Sequence, residues 1–306
     1  MERRLAGLRF HFVHSMDGRL TGVHRSAQPG VSVEFSDHKE YMPGDDLRRL
    51  DWKAYARLDR FYVRQFTKDT HANVHILLDA SHSMTYQSPA AAASKLLFSA
   101  RLATALSYLF LRQNDAVGLL TMQGRDVRRF LPARSHPSQL VTVQEHLSET
   151  LAPEALSAAE AEGPTALTRG LEFLVSRRVS RSAVIVITDL QVDPDGLFPY
   201  LAYLHAGGNF CWLVHVIDPA EYDLGPSDRA FPFSGTRIFR SPETGQTVVV
   251  DSRLAREEYL GRFREFLRDT HEKAAELRLE LSRCNTDIDP VDFIIRYLID
   301  SRPEGE

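Results

Sequence analysis

The chain has 306 residues, of which 43% are hydrophobic and 25% are charged. This composition excludes an intrinsically disordered chain, and the length fits one large domain or a domain with an additional segment. The formal net charge is -4 and the sequence pI is about 6.3, so no overall positive charge favours nucleic acid or an anionic membrane.

Cysteine content and hydropathy indicate the compartment. Cys211 and Cys284 are too few for a disulfide framework or a zinc site, which favours a reducing environment. The first residues lack the apolar core of a secretory signal. The most apolar stretch, Leu96–Leu111, is short for a bilayer span and contains Arg101. We therefore expect a cytoplasmic protein with no membrane span.

Residues 1–70 are predicted to form a β-rich N-terminal extension. Val31–Phe35 alternates between apolar and polar residues in the manner of a half-buried strand, and Phe61–Phe66 is a second strand candidate. Between them, Pro43-Gly44 marks a turn.

Residues 71–306 are predicted to form one α/β domain. Apolar strands alternate with helices there, which is typical of a doubly wound, Rossmann-like and mostly parallel sheet that is covered on both faces. The predicted strands are Val74–Leu78, Ala116–Leu120, Val127–Leu131, Ala183–Thr188 and Phe210–Ile217, and the predicted helices cover about 89–113, 137–149, 165–176 and 197–205.

The alternation stops after residue 218. Thr236–Phe239 and Thr247–Val250 flank a turn and predict a β-hairpin inserted near residues 218–250. One amphipathic helix is then expected from about Ser252 to Arg283, because apolar residues recur there at intervals of three or four positions.

Two of the predicted strands end in a carboxylate, and ligands of such sheets bind beyond the carboxyl ends of the strands. One of these carboxylates opens a D-x-S-x-S pattern before a long helix, and a threonine precedes another helix. Hydroxyl and carboxylate oxygens suit Mg²⁺, with Mn²⁺ or Ca²⁺ as alternatives. We therefore predict a divalent-cation site formed by Asp79, Ser81, Ser83, Thr165 and Asp189.

The expected chemistry of this site is recognition. If the hydroxyl groups bind the cation directly and the carboxylates act through water, the cation can accept a carboxylate from an acidic client protein. A simpler interpretation is that the Ser and Asp side chains of the first loop and Thr165 only cap helices. Thr168 could replace Thr165 in the site, and Asp193 or Asp195 could replace Asp189.

This arrangement resembles the metal-ion-dependent adhesion site (MIDAS) of von Willebrand factor type A domains. The resemblance covers about residues 71–217. It matches the D-x-S-x-S residues to the family's first metal loop, Thr165 to the second and Asp189 to the third.

A narrower resemblance covers nearly the whole chain. The segment Glu40–Lys53, followed by Ala56-Arg57, is similar to the signature of the bacterial domain-of-unknown-function fifty-eight family, and so are Asp218-Pro219-x-Glu221 and Pro242–Gly245. The resemblance implies association with a MoxR-type AAA+ ATPase in protein assembly or chaperone-like remodelling. We expect a non-enzymatic, metal-dependent protein-binding adaptor.

Two other functions are open alternatives. Arg48–Arg64 contains six basic and two acidic residues interleaved with aromatic ones, a pattern that can bind single-stranded nucleic acid. The same aromatic residues could instead pack in the protein while the arginines pair with nearby aspartates. A metal with carboxylates could also activate water in a hydrolase. However, the sequence has no Ser-His-Asp elbow, Walker lysine loop or H-E-x-x-H pair.

Overall fold

The computed structural model describes residues 2–5, 7–10, 33–42, 50–58, 60–68, 72–123, 126–152, 166–191, 194–221, 236–240 and 247–301. The chain divides into two compact units. Residues 16–71 form the smaller unit, and residues 1–15 and 72–306 form the larger one. The predicted extension of residues 1–70 therefore has its first residues in the larger unit.

Helices and strands are numbered in chain order. The helices are α1 (Glu2–Leu5), α2 (Trp52–Leu58), α3 (Lys95–Arg112), α4 (Gln139–Thr150), α5 (Ala166–Ser176), α6 (Pro194–Ala206), α7 (Ser252–Glu276) and α8 (Pro290–Asp300). The strands are β1 (Val33–Glu40), β2 (Tyr62–Lys68), β3 (Asn73–Asp79), β4 (Ala116–Gln123), β5 (Asp126–Arg134), β6 (Ser182–Thr188), β7 (Phe210–Ile217), β8 (Thr236–Arg240), β9 (Thr247–Asp251) and β10 (Glu280–Asn285).

The smaller unit contains the antiparallel strands β1 and β2, together with α2. Its aromatic side chains contact one another. Tyr55 on α2 stacks on Phe61 with ring centroids 4.4 Å apart, and Tyr41 meets the same ring edge-on at 6.4 Å.

A six-stranded sheet forms the centre of the larger unit. Its strand order is β10-β7-β6-β3-β4-β5, and every neighbouring pair is parallel except β4 and β5, which are antiparallel. The predicted doubly wound, mostly parallel α/β sheet is confirmed. The predicted hairpin is also present, because β8 and β9 pair antiparallel.

Two hydrophobic cores cover the faces of this sheet. On one face, Val74, Ile76 and Leu78 of β3 pack in a cluster with α3, α4 and α8. On the other face, Leu77 packs in a cluster with α5, α6 and α7. Alternate residues of one strand thus enter opposite cores, which explains why the central strands are almost wholly apolar.

The C-terminal prediction of one helix to about Arg283 was wrong. Helix α7 ends at Glu276, where Arg278 adopts a left-handed backbone (φ 54°) and the Leu279 amide donates to the Ala274 carbonyl at 2.9 Å. The chain then forms β10 and α8. Strand β10 is at the edge of the sheet and mixes buried with exposed residues, so it lacks the apolar run that revealed the central strands.

The predicted helix from residue 89 begins later than expected. Residues His82–Thr85 form a single 3₁₀ turn, and α3 starts after Ser94, whose hydroxyl accepts a hydrogen bond from the Leu97 amide at 3.2 Å. No helix in the described ranges is both long and apolar enough to cross a membrane.

Candidate functional site

The carboxyl ends of β3 and β6 place two aspartates at the same edge of the sheet. The two strands pair in parallel, with Leu78 opposite Ile187. Asp79 is the last residue of β3 and Asp189 directly follows β6, so both side chains lie at this edge.

Asp79 is 2% exposed and is held on both carboxylate oxygens. Its Oδ1 accepts from the Ser81 amide at 2.9 Å, and its Oδ2 accepts from the Thr188 hydroxyl at 2.7 Å. Burial, followed by repulsion from Asp189, raises the pKa of Asp79 to about 6 despite these hydrogen bonds. The carboxylate is thus fixed in orientation in a position that favours a nearby cation.

Two serine hydroxyls follow Asp79 in the first loop. Ser81 Oγ and Ser83 Oγ are 3.1 Å apart, and Ser83 is buried while Ser81 is half-buried. The 3₁₀ turn that begins at His82 brings these alternate residues together. The loop therefore presents a pair of neutral oxygens next to a buried carboxylate.

The loop after β6 fixes Asp189 through a strained turn. Leu190 has a left-handed backbone (φ 55°), which is uncommon for a bulky residue, and its amide donates to the Thr188 hydroxyl at 3.1 Å. The Gln191 amide donates to Asp189 Oδ1 at 3.2 Å. One hydroxyl, that of Thr188, therefore connects this loop to Asp79.

A buried lysine completes the polar cluster. Lys95, the first residue of α3, has a side chain with 0% exposure, and its ammonium donates to Asp189 Oδ2 at 2.8 Å and to Glu221 Oε1 at 2.7 Å. These carboxylates outweigh the effect of burial and raise the pKa of Lys95, so the side chain carries a full positive charge.

The segment after β7 joins the same network. Asp218 accepts from the Ser88 amide through Oδ2 and from the Ala220 amide through Oδ1, both at 2.9 Å. Glu221 accepts from the Asp218 amide through Oε2 at 2.9 Å. Loops after three neighbouring strands, β3, β6 and β7, are thus linked by side-chain hydrogen bonds.

Four of the five predicted site residues lie at this edge of the sheet: Asp79, Ser81, Ser83 and Asp189. The fifth, Thr165, lies outside the described residues, as does Asp193. Thr168, the alternative to Thr165, is half-buried on α5.

Sequence reasoning missed Lys95 and Thr188, and it noted Glu221 only through family resemblance. Thr188 is a hydroxyl residue that ends the apolar run of β6, directly before the predicted Asp189, so the signal was present. Lys95 is a single charge at the start of a long apolar helix, where an exposed first turn is the usual interpretation.

The donor set suits a small divalent cation with neutral ligands. Two oxygens bound at right angles to Mg²⁺, each at about 2.1 Å, lie about 3.0 Å apart, close to the 3.1 Å between Ser81 Oγ and Ser83 Oγ. Among the described residues, no group of three or more Asp, Glu, His or Cys side chains converges as a metal site. Any cation here would therefore depend on the hydroxyl pair.

The chain is similar to a protein of known sequence and to two solved structures. The chain is 26% identical over 230 residues to an uncharacterized protein of Mycobacterium tuberculosis, covering 75% of this chain and 67% of that protein. It is similar to an aerotolerance-related membrane protein from Bacteroides fragilis, at 22% identity with a TM-score of 0.46, covering 75% of this chain and 99% of that one. It is also similar to the SpRpn10 von Willebrand factor type A domain, at 11% identity with a TM-score of 0.39, covering 77% and 97% of the two chains.

The prediction of a cytoplasmic location was wrong by this comparison, because the Bacteroides fragilis protein is described as a membrane protein. The physical reason is that composition and cysteine content report on the solvent around a folded domain. A domain held beside a membrane has the same kind of surface as one free in solution. We therefore withdraw the cytoplasmic assignment.

The family model described as protein of unknown function DUF58 matches residues 37–267, which include parts of both compact units. The six-stranded sheet with helices on both faces agrees with a von Willebrand factor type A-like fold. On this match, the chain belongs to the DUF58 family.

Proposed function

We propose that this chain is a non-enzymatic protein-binding module that holds a divalent cation, Mg²⁺ or Mn²⁺, at the edge of its sheet. The cation captures an acidic side chain of a partner protein. The observation that carries this proposal is the Ser81–Ser83 hydroxyl pair, 3.1 Å apart, beside the buried carboxylate of Asp79.

The charge around the hydroxyl pair favours binding over hydrolysis. Both carboxylate oxygens of Asp79 already accept hydrogen bonds, and Asp189 is paired with Lys95. A cation bound mainly by neutral hydroxyls retains most of its charge, so it attracts a further anionic oxygen. Thr165, the residue before α5 in the sequence, is included in this proposal as a ligand on the sequence pattern alone.

The proposed partners are a MoxR-type AAA+ ATPase and an acidic client of that ATPase. Family resemblance is the support for this partnership. The division of labour is chemically consistent, since the sequence lacks a Walker lysine loop and an ATPase would supply the ATP hydrolysis.

Cation binding is tested by measuring thermal unfolding and calorimetric titration with Mg²⁺ and Mn²⁺. At a cation concentration one hundred times Kd, binding stabilises the folded protein by about 2.7 kcal/mol. The Ser81→Ala/Ser83→Ala variant should lose this stabilisation. Alanine keeps the backbone amide of residue 81, which donates to Asp79 Oδ1.

Ser107→Ala is the matched control for this measurement. Ser107 is a buried serine on α3 whose hydroxyl donates to the Ala103 carbonyl at 2.7 Å. This variant should bind the cation as the wild type does. If the wild type and Ser81→Ala/Ser83→Ala show equal, negligible binding, the metal proposal is withdrawn.

The partner is tested by capture from native lysate, with and without EDTA. We expect a MoxR-type ATPase or its client to be retained by the wild type, lost with EDTA, and absent from Ser81→Ala/Ser83→Ala. Capture that is indifferent to both EDTA and the substitutions would mean that the partner binds elsewhere on the chain.

A further inference from the structure

Lys95 is a permanent cation built into the edge of the sheet. Its side chain is fully buried, and its ammonium contacts Asp189 and Glu221 at 2.8 and 2.7 Å. The ring of Tyr86 lies 5.8 Å from the same nitrogen. Buried ammonium groups require such partners, because an unpaired charge in the interior is strongly disfavoured.

The position of Lys95 affects how strongly the proposed site binds a divalent cation. Asp189 is the third-loop carboxylate of the proposed metal site, and one of its oxygens is already engaged by the ammonium. Thr188 connects the same loop to Asp79, so the ammonium and the hydroxyl pair act on one polar cluster. Charges within this cluster are poorly screened by solvent, and a fixed positive charge repels a divalent cation.

We propose that Lys95 is a positioning residue that makes cation binding depend on the acidic partner. By holding Asp189 and adding positive charge, Lys95 weakens the site for a cation alone. A carboxylate from the partner supplies the missing negative charge, so cation and partner are bound together. This inference rests on the proposed function and adds to it a reason for cooperative capture.

Glu221 sets the strength of this effect. It shares the ammonium with Asp189, and its other oxygen accepts from the Asp218 amide at 2.9 Å. Removing the charge of Glu221 leaves the repulsion from Lys95 less compensated, whereas removing Lys95 eliminates the repulsion. Substitutions at the two residues therefore have opposite predicted effects on cation affinity.

The test measures Mn²⁺ affinity from the electron paramagnetic resonance signal of free Mn²⁺. Titrations are made at pH 8 in chloride and in acetate buffers of equal ionic strength, with acetate as the carboxylate probe. We expect Lys95→Met to bind Mn²⁺ at least about tenfold more tightly than the wild type in chloride, and Glu221→Gln about threefold more weakly. Acetate should tighten binding by the wild type about fivefold and by Lys95→Met less than about twofold.

Glu221→Gln keeps an oxygen that can accept a hydrogen bond from Lys95. This variant therefore still tests the proposal if Lys95→Met fails to fold. A loosened structure would weaken binding in both variants, whereas the proposal requires shifts in opposite directions. Lys95→Arg retains the positive charge and should keep the weak, acetate-dependent binding of the wild type.

Equal Mn²⁺ affinity of the wild type, Lys95→Met and Glu221→Gln would overturn the role of Lys95. If Ser81→Ala/Ser83→Ala still fails to bind Mn²⁺ in that case, the proposed function stands without the role of Lys95. Absence of Mn²⁺ binding in the wild type and in every variant, in both buffers, would instead refute the proposed function and this inference together.

Discussion

Thr188 has a structural role at the site that is disproportionate to its size. Its hydroxyl donates to Asp79 Oδ2 at 2.7 Å and accepts from the Leu190 amide at 3.1 Å, and the residue is 0% exposed. One side chain thus serves both the carboxylate after β3 and the left-handed turn after β6. Water cannot replace either hydrogen bond readily at a fully buried position.

Thr188→Val should destabilise the fold by about 1–3 kcal/mol, because it leaves a buried carboxylate oxygen and a buried amide each without one hydrogen bond. Urea unfolding measures this change. The control is Thr150→Val on α4, where the buried hydroxyl only donates to a helix carbonyl at 2.9 Å. A loss in Thr188→Val no greater than that of the control would contradict the assigned role.

Among the residues of the site, the sequence predicted the carboxylates and hydroxyls well, but it did not predict the lysine ammonium. Asp79 and Asp189 were recognisable because a charge that ends a buried apolar strand has few structural uses. Lys95 was not recognisable, since its partners Asp189 and Glu221 are 94 and 126 residues away in sequence. Contacts over such separations follow from strand order, which no local pattern specifies.

Among the secondary-structure elements, the antiparallel pair β4 and β5 shows how closely the backbone is packed. A Cβ atom added at Gly118 would lie 2.8 Å from the Leu131 carbonyl oxygen and 2.9 Å from the Ala133 amide nitrogen. The pairing register shifts between Val117 and Leu119, so the irregularity coincides with this glycine. A glycine in such a place permits the close approach of another backbone.

Gly118→Ala should therefore destabilise the protein by about 2 kcal/mol or more, because the clash is with backbone that cannot rotate away. Gly261→Ala is the matched control. Gly261 lies exposed within α7, and an added Cβ there meets nothing within 4 Å, so this change should stabilise the helix by about 0.5–1 kcal/mol. Chemical unfolding of both variants checks the prediction, and effects of the same sign would disagree with it.

Prediction of the elements succeeded where both faces of a strand are buried and failed at the edge. The central strands were found within a few residues because two cores impose continuous apolar runs. Strand β10 was instead taken for the end of a helix, since Leu277 and Leu281 continue the spacing of α7. The helix ends because Arg278 adopts a left-handed backbone conformation, and an arginine in the sequence does not predict such a conformation.

For the whole molecule, the buried histidines determine how stability varies with pH. Burial lowers the pKa of His75, His146 and His215 to about 4, whereas an unfolded chain binds these protons near the ordinary value of 6.5. The free energy of unfolding is therefore unaffected by these histidines above pH 6.5. It decreases as the pH falls from 6.5 towards 4, because the unfolded chain binds the protons first. Burial also raises the pKa of Asp79 to about 6 and raises the pKa of Glu221, and these two carboxyl groups act in the opposite direction, Asp79 between pH 6 and pH 3.8.

The metal-free protein should therefore lose on the order of several kcal/mol of unfolding free energy between pH 6.5 and pH 4. His75→Phe should reduce this loss, because the side chain is buried on β3 and its Nδ1 has no hydrogen-bond partner in the described structure. Urea unfolding at several pH values measures both proteins, and a flat wild-type profile would be inconsistent with neutral buried histidines.

The proposed function requires one cation bound between two serine hydroxyls, and a crystal structure of the chain soaked with Mn²⁺ would reveal that cation. Anomalous scattering locates manganese without reference to any assumed ligand. We expect a peak about 2.1 Å from both Ser81 Oγ and Ser83 Oγ, with Asp79 and Asp189 outside the first coordination sphere. Saturating Mn²⁺ with no peak at this pair, and the two hydroxyls still hydrogen-bonded to each other, would contradict it.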